Sequence, residues 1–387
     1  MMPLAYVVLV ASAGVCVYAY LGYPALLQLL RTLRRPRHVQ RTTAWPRISI
    51  VLPVYNGADV IARTLEGVLA LDYPADRRQI VVVSDGSTDQ TDDIVSSFAD
   101  RGVELVRLPR RQGKTAAENA ARLHLTGEIV VNTDASVGLH PAAVKHLVAA
   151  FDDPSVGVAS ACDVSVTRLG DQSNVGEEAY VGYEMWVRDL ETAVDGIVGA
   201  SGCLYAILAD LHLLPVPDAL SRDFSAALTA RRHGRRAVSV REALCFVPRG
   251  VSLGQEYRRK VRTVTRGLAT LWHNRTLLNP IRFGGFAWML FSHKVCRWLV
   301  PWALGAMLAA LAVLAVTAGW ARALLAGAAV LGVLAATGWW WRDRERMPRL
   351  LALPAYFAAG NIAVLHAWMR VLAGRAAPVW EPTRRGA

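Results

Sequence analysis

Lysine is nearly missing from this chain: it stands only at positions 114, 145, 260 and 294 of 387, although Lys and Arg together number 43. Acidic residues are also short, at 31, so the net charge of +12 is carried almost entirely by arginine. Charged residues of all kinds make up 19% against 53% hydrophobic. With a positive mean hydropathy, that balance excludes a disordered chain and an ordinary soluble one. Cysteine is sparse and scattered (Cys16, Cys162, Cys203, Cys245, Cys296), with no C-x-x-C pair and no histidines at zinc spacing. This excludes a disulfide framework and a structural zinc, and suits reduced thiols in a non-oxidising compartment. No internal repeat or low-complexity tract is present. Arginine-rich charge suits anionic lipid, phosphorylated substrates or nucleic acid, and the membrane segments of this chain account for it without nucleic acid.

Charge is wholly absent from Met1 to Leu30 and then arrives as a cluster, Arg31, Arg34, Arg35, Arg37 and Arg41. An apolar run of ~20 residues crosses the hydrocarbon layer, and the basic flank stays in the cytoplasm. Residues 1–30 therefore read as a transmembrane helix with its N-terminus outside. Ala11-Ser12-Ala13 resembles a signal cleavage site, but no basic region precedes it and the apolar run continues past it. Three more uncharged runs, Trp298 to Ala321, Ala323 to Trp341 and Leu350 to Met369, form a C-terminal membrane region over 298–372, before a basic tail over 373–387. Three crossings would leave that tail outside against the positive-inside tendency, so one of the three is open to being re-entrant or interfacial. The basic stretch over 251–297, with aromatic residues interleaved, reads as amphipathic helices on an anionic membrane surface. The catalytic part is then placed on the cytoplasmic face of a bacterial-type inner membrane.

Residues 44–250 read as α/β. The apolar runs Ile48 to Val54, Ile80 to Val83 and Glu128 to Val131 each lead into a polar turn and a helical pattern, which predicts a mostly parallel sheet flanked by helices. Ligands of such sheets collect at the carboxyl ends of the strands. There stand Pro53, Tyr55 and Asn56 after the first run, suited to holding a flat heterocycle or to a plain turn. Asp85 after the second suits the edge of a base or ribose. Lys114 opens a helix after Arg110-Arg111-Gln112-Gly113, where cations and amide groups attract phosphate. Asp134, with Ser136 two residues on, can give Mg²⁺ or Mn²⁺ the one or two protein oxygens such ions need beside a phosphate. Asp223 is either a helix N-terminal residue or a general base.

In this order the motifs resemble the membrane-bound inverting glycosyltransferases of family 2, the group of cellulose, chitin, hyaluronan and poly-N-acetylglucosamine synthases. The resemblance extends to Tyr183-Glu184-Met185-Trp186, Phe291-Ser292-His293-Lys294 and Trp380-Glu381-Pro382-Thr383-Arg384. It implies a GT-A fold, a nucleotide diphosphosugar donor of the UDP type, and a divalent cation. Pro53, Tyr55 and Asp85 then take the nucleotide, Asp134 the first place of a D-x-D metal motif, and Asp223 that of the base. Arg259-Lys-Val-Arg262-Thr263 resembles the Q-x-x-R-W motif that covers donor and acceptor. Ser136 replaces the second Asp, Arg222 stands where an acid is frequent, and Arg259 and Thr263 replace Gln and Trp, which speaks against processive polymerisation. The function expected is sugar transfer to a glycan or lipid-linked acceptor in exopolysaccharide or envelope synthesis, with membrane lipids as partners and no polysaccharide-export partner identified. The alternatives are a single-sugar transferase to a polyprenyl phosphate or glycolipid, and a catalytically silent membrane scaffold.

Overall fold

The computed structural model describes residues 2–33, 45–166, 175–248, 253–341 and 347–375. Arg34, Arg35, Arg37, Arg41, most of the tail and the segment 380–384 lie outside them.

The β-branched runs become strands because their alternate residues can be buried on opposite faces. β1 (Ile48–Val54) is buried along its whole length. Its Ile50 and Leu52 join one core with Ile61, Leu65, Val131 and Leu147, while Val51 joins a second core with Val81, Val83, Ala117 and Val130. β2 (Arg78–Ser84) and β3 (Val103–Arg107) extend the sheet in parallel on one side of β1, and β4 (Ile129–Thr133) lies parallel on the other. The short β5 (Gly138–Leu139), β6 (Val156–Val166), β7 (Leu204–Leu208) and β8 (Arg236–Pro248) complete the order β3-β2-β1-β4-β7-β6-β8-β5. β7 runs antiparallel to both β4 and β6, and β5 to β8. The sheet is therefore mixed: β1 through β4 form one parallel block, and β6 and β8 pair in parallel beyond the antiparallel β7. The strand order reverses between β1 and β4, and a crevice opens at the carboxyl ends there.

Among the described residues the helices that matter for the cavity at that crevice and for the joint between the domain and its apolar helices include α1 (Met2–Leu33), α2 (Lys114–Ala121), α3 (Val175–Val194), α4 (Arg222–Arg232), α5 (Leu253–His273) and α6 (Pro280–Leu314). Two more stand after them in the chain, α7 (Gly319–Trp340) and α8 (Arg349–Leu372). Among the described residues α1, α6, α7 and α8 are long and apolar enough to cross a membrane. Large apolar side chains such as Val7, Val333 and Ile362 point outward from them, which water would penalise and lipid would not.

The second membrane helix begins earlier than the uncharged run from Trp298 suggested. The reason is local: Asn279 caps its first turn, accepting from the amides of Ile281 and Arg282, with Pro280 in that turn, a start signal for a helix, and the helix kinks at Gly284, whose φ is 50°, before it runs on. The charges inside it are turned inward. His293 and Arg297 are buried against α3, so a search for uncharged runs cuts this helix short. Of the stretch expected to be interfacial, α5 is a separate amphipathic helix, while residues from 280 onward belong to α6.

Candidate active site

Beyond β1 the chain turns through Asn56, whose φ of 47° is left-handed. Its backbone N–H donates to Ser87 Oγ at 3.1 Å and its Oδ1 accepts from the Thr88 amide at 2.8 Å, which ties the ends of β1 and β2 together. Asp85 is 1% exposed, and its two carboxylate oxygens accept from the amides of Gln112 and Gly113, both at 2.7 Å. Burial pushes its carboxyl up, and those two amides and Arg111 work in the opposite direction. Next to it Gly86 has a φ of +68°, and a Cβ there would lie 2.7 Å from the Arg110 carbonyl carbon. Only glycine lets the loop 110–113 lie this close to the end of β2. The loop places the Arg111 guanidinium 4.1 Å from the centre of the Tyr55 ring and delivers Lys114 at the first position of α2.

Lys114 reaches into a cavity of about 400 Å³. Its Nζ donates to Asp134 Oδ1 at 2.6 Å and to the Gly202 carbonyl at 2.8 Å, and lies 3.9 Å from Glu118 Oε1. Burial would lower the pKa of this ammonium, but Asp134, Glu118 and Asp223 outweigh it and hold Lys114 above its ordinary value. Asp134 arrives at the end of β4, its amide donating to the Cys203 carbonyl at 3.1 Å. Asp223 stands in the first turn of α4 and accepts from Ser221 Oγ. Gly202 leaves room for this carboxylate: a Cβ there would sit 2.8 Å from Asp223 Oδ2. Glu118, 1% exposed, lies below, and burial raises its carboxyl against the pull of Lys114 and Arg222. Arg222, 4% exposed, donates to the His212 carbonyl at 2.7 Å and holds its Nε 3.9 Å from Glu118 Oε2. The acid that relatives of the synthase group often carry at this position is thus replaced by a cation facing a buried carboxylate.

Five of the expected site residues, Lys114, Asp134, Asp223, Arg259 and Arg262, line this one cavity. Pro53, Tyr55, Asn56, Asp85 and Ser136 do not. Pro53 is buried inside β1 opposite Val83, so its role is to shape the strand end. Asn56 and Asp85 have their polar atoms engaged by backbone amides of neighbouring loops, so in this structure they order the crevice. Tyr55 lies at its edge under Arg111.

Several lining residues were missed in the sequence. Lys294 and Trp298 line the cavity from α6, and with Arg297 they form Lys294-x-x-Arg297-Trp298. This keeps the Arg-Trp pair and the spacing that 259–263 only half matches, and that spacing was the available signal. Glu184, from the Tyr183–Trp186 motif, accepts from Arg297 at 2.7 Å and lies 3.0 Å from His293 Nε2. His293 Nδ1 in turn lies 2.6 Å from Glu191 Oε1, which also accepts from Tyr23 of α1. Burial would raise the Glu184 carboxyl, but His293 and Arg297 hold it well below the usual carboxylate range. Two motifs far apart in sequence are one buried polar network joining the domain to the apolar helices α1 and α6.

Among the described residues no three His, Cys, Asp or Glu side chains are placed to hold a metal on their own. Among the carboxylates lining the cavity, Asp134 stands directly beside Lys114, a cation suited to diphosphate. That donor set fits a hard divalent ion that takes its remaining ligands from phosphate and water.

Residues 49–208 match the glycosyl transferase family 2. The chain is 31% identical over 118 residues to a probable glycosyltransferase, YdaM, of Bacillus subtilis, covering 29% of this chain and 28% of that one. It is 27% identical over 169 residues to a beta-monoglucosyldiacylglycerol synthase of Nostoc sp., covering 42% and 36%. These matches span about a third of the curated relatives' own length (28% and 36%), and neither relative is a cellulose, chitin or hyaluronan synthase. Among solved structures the chain is similar to the mannosyltransferase PcManGT from Pyrobaculum calidifontis in complex with GDP-Man and Mn²⁺, at 25% identity and a TM-score of 0.71, covering 96% of this chain and 98% of that one. The mixed sheet with its crevice at the ends of β1 and β4 is thus a GT-A-like arrangement, and within it residues 49–208 are similar to glycosyl transferase family 2.

Proposed function

We propose that this protein is a membrane-bound inverting glycosyltransferase that moves a sugar from a nucleotide diphosphosugar to a hydroxyl of a lipid-linked or glycan acceptor, with its domain on the cytoplasmic face. The observation that carries the reading is the meeting of Lys114, Asp134 and Asp223 around Gly202 in one cavity. The nucleotide is held at the ends of β1 and β2, against the Tyr55 ring and its stacked Arg111. Lys114 and Arg262 offset the charge of the leaving diphosphate, an interaction that strengthens as the bond to the sugar breaks. Asp134 is the ligand for a divalent ion, which when bound adds positive charge at the diphosphate. Asp223 accepts the proton of the attacking hydroxyl, and one displacement at the anomeric carbon inverts its configuration.

The test uses the full chain in detergent or native membranes with a panel of radiolabelled UDP- and GDP-sugars. The two nucleotides are both included because the similar mannosyltransferase is seen with GDP-Man, whereas the sequence resemblance implies UDP. Expected is label in the lipid or glycan fraction with one donor, lost in excess chelator and in Asp134→Asn. Full turnover in chelator overturns the metal assignment, and no binding of any donor overturns the function.

A further inference from the structure

The scarcity of lysine makes its placement informative. Three of the chain's four lysines, Lys114, Lys260 and Lys294, line the cavity. Lys260 belongs to α5, yet its ammonium lies 5.0 Å from the ring centre of Tyr180 and 4.8 Å from that of Tyr356, which stands on the membrane helix α8. At Gly360 of the same helix a Cβ would come within 3.1 Å of the Lys260 Nζ. Two aromatic faces and a glycine notch thus hold one positive charge against a membrane helix, a setting that keeps an ammonium charged away from bulk water. Around it, α5 lines the cavity with Arg259, Arg262 and Arg266 and with one acid, Glu256, which accepts from Arg259 at 2.7 Å. The same cavity is lined by Glu118, Asp134 and Asp223 with Lys114 and Arg222. Cations thus gather along α5, and Lys260 is the one held against α8.

We propose that the acceptor is a lipid whose headgroup carries a phosphodiester in addition to the hydroxyl that attacks, with the phosphate seated against Lys260 and its arginine neighbours and the acyl or prenyl chains leaving beside α8. This rests on the glycosyl-transfer reading of the cavity. The hydroxyl oxygen bonds to the anomeric carbon, the bond from that carbon to the diphosphate oxygen breaks, the nucleoside diphosphate leaves with the electron pair, and the proton passes to Asp223. A neutral diacylglycerol offers the cationic wall nothing. A lipid monophosphate attacking through its own phosphate brings a dianion to Asp223 and has no proton to give it.

The experiment places the full chain in phosphatidylcholine nanodiscs containing phosphatidylglycerol, phosphatidylinositol, diacylglycerol or a long-chain polyprenyl monophosphate, and measures both retention of a fluorescent phosphatidylglycerol and transfer from the donor found in the panel. Phosphatidylmethanol, a phosphodiester without a hydroxyl, and inorganic phosphate serve as competitors. Expected are retention and glycosylation of the two hydroxyl-bearing phospholipids, competition by phosphatidylmethanol, and none by inorganic phosphate at matched concentration. Lys260→Met weakens lipid retention about tenfold, the scale of one well-placed cation, leaves nucleotide-sugar affinity unchanged, and Lys260→Arg restores most of it. The proposal is overturned if diacylglycerol or the polyprenyl monophosphate is the better acceptor, if free phosphate competes as well as the lipid, or if Lys260→Met acts on donor affinity. If no nucleotide sugar binds the wild type, the glycosyl-transfer reading fails instead, and lipid retention still judges the phosphate site.

Discussion

Asp223 and Arg222 are adjacent on α4, yet the helix sends one carboxylate against Gly202 and buries the next guanidinium below it on Glu118. The first can therefore be altered without disturbing the second. Asp223→Asn keeps the shape and removes the proton affinity, so transfer should fall by ~10²-fold or more, the scale of a lost general base, with nucleotide-sugar affinity by calorimetry retained. A parallel collapse of affinity would make Asp223 a donor ligand. His212, whose carbonyl holds Arg222, lies 3.2 Å from Asn132 Oδ1 and is 1% exposed. Burial first, then Arg222 and Arg122, hold its pKa well below the ordinary 6.5. The unfolded chain then binds the extra proton first, so the stability His212 contributes is complete above its ordinary pKa and declines as pH falls below it. The limiting slope is about 1.4 kcal/mol per pH unit. Unfolding midpoints taken at about pH 7.5 and about pH 5.5 should differ less in His212→Gln than in the wild type.

At the scale of elements, the joint between the domain and the membrane is a charged contact, α3 against α6, with α1 adding Tyr23. Glu184 sits between Arg188, His293 and Arg297. Removing one member of a buried cluster leaves the other charges incompletely compensated, which costs far more than the pair contributes. Arg297→Met should destabilise the protein by about 3 kcal/mol, seen as a lower melting temperature in detergent. It should also speed proteolysis at the ends of α3 and α6. An unchanged melting temperature would show that Arg188 and His293 suffice for Glu184.

For the whole molecule, everything from Trp45 to His273 lies between α1 and α6, so the domain stands on one side of the membrane if both helices cross it. The arginines after Leu30 favour the cytoplasm for that side. Arg101 pairs with Glu66 on the domain surface, where both side chains are about half exposed, 47% and 55%. Breaking such a pair costs little. Arg101→Cys in intact cells should therefore resist an impermeant maleimide and be modified readily once the membrane is permeabilised. Ready modification in intact cells would invert the orientation.

The sequence by itself determined the alternation of strands and helices, the apolar helices and the residues at strand ends. These come from local periodicity: Ile50 and Leu52 against Val51 already separate the two faces of β1, and the uncharged run to Leu30 has no soluble alternative. Asp134, Lys114 and Asp223 could be singled out because each stands at a strand end or a helix start, where side chains and free backbone groups converge. Tertiary structure alone decided which of them share a cavity. No spacing relates residue 114 to residue 223, and Gly202 joins them only because β7 turns back beside β4. Asp85 and Asn56 carry the right chemistry at the right strand ends, but long-range backbone amides claim their oxygens. The buried charges in the first part of α6 placed residues up to 297 on the membrane surface and apart from the apolar run that follows, until Glu184 and Glu191, more than a hundred residues earlier, supplied their partners. Periodicity is a property of neighbours along the chain, whereas compensation of charge depends on neighbours in space.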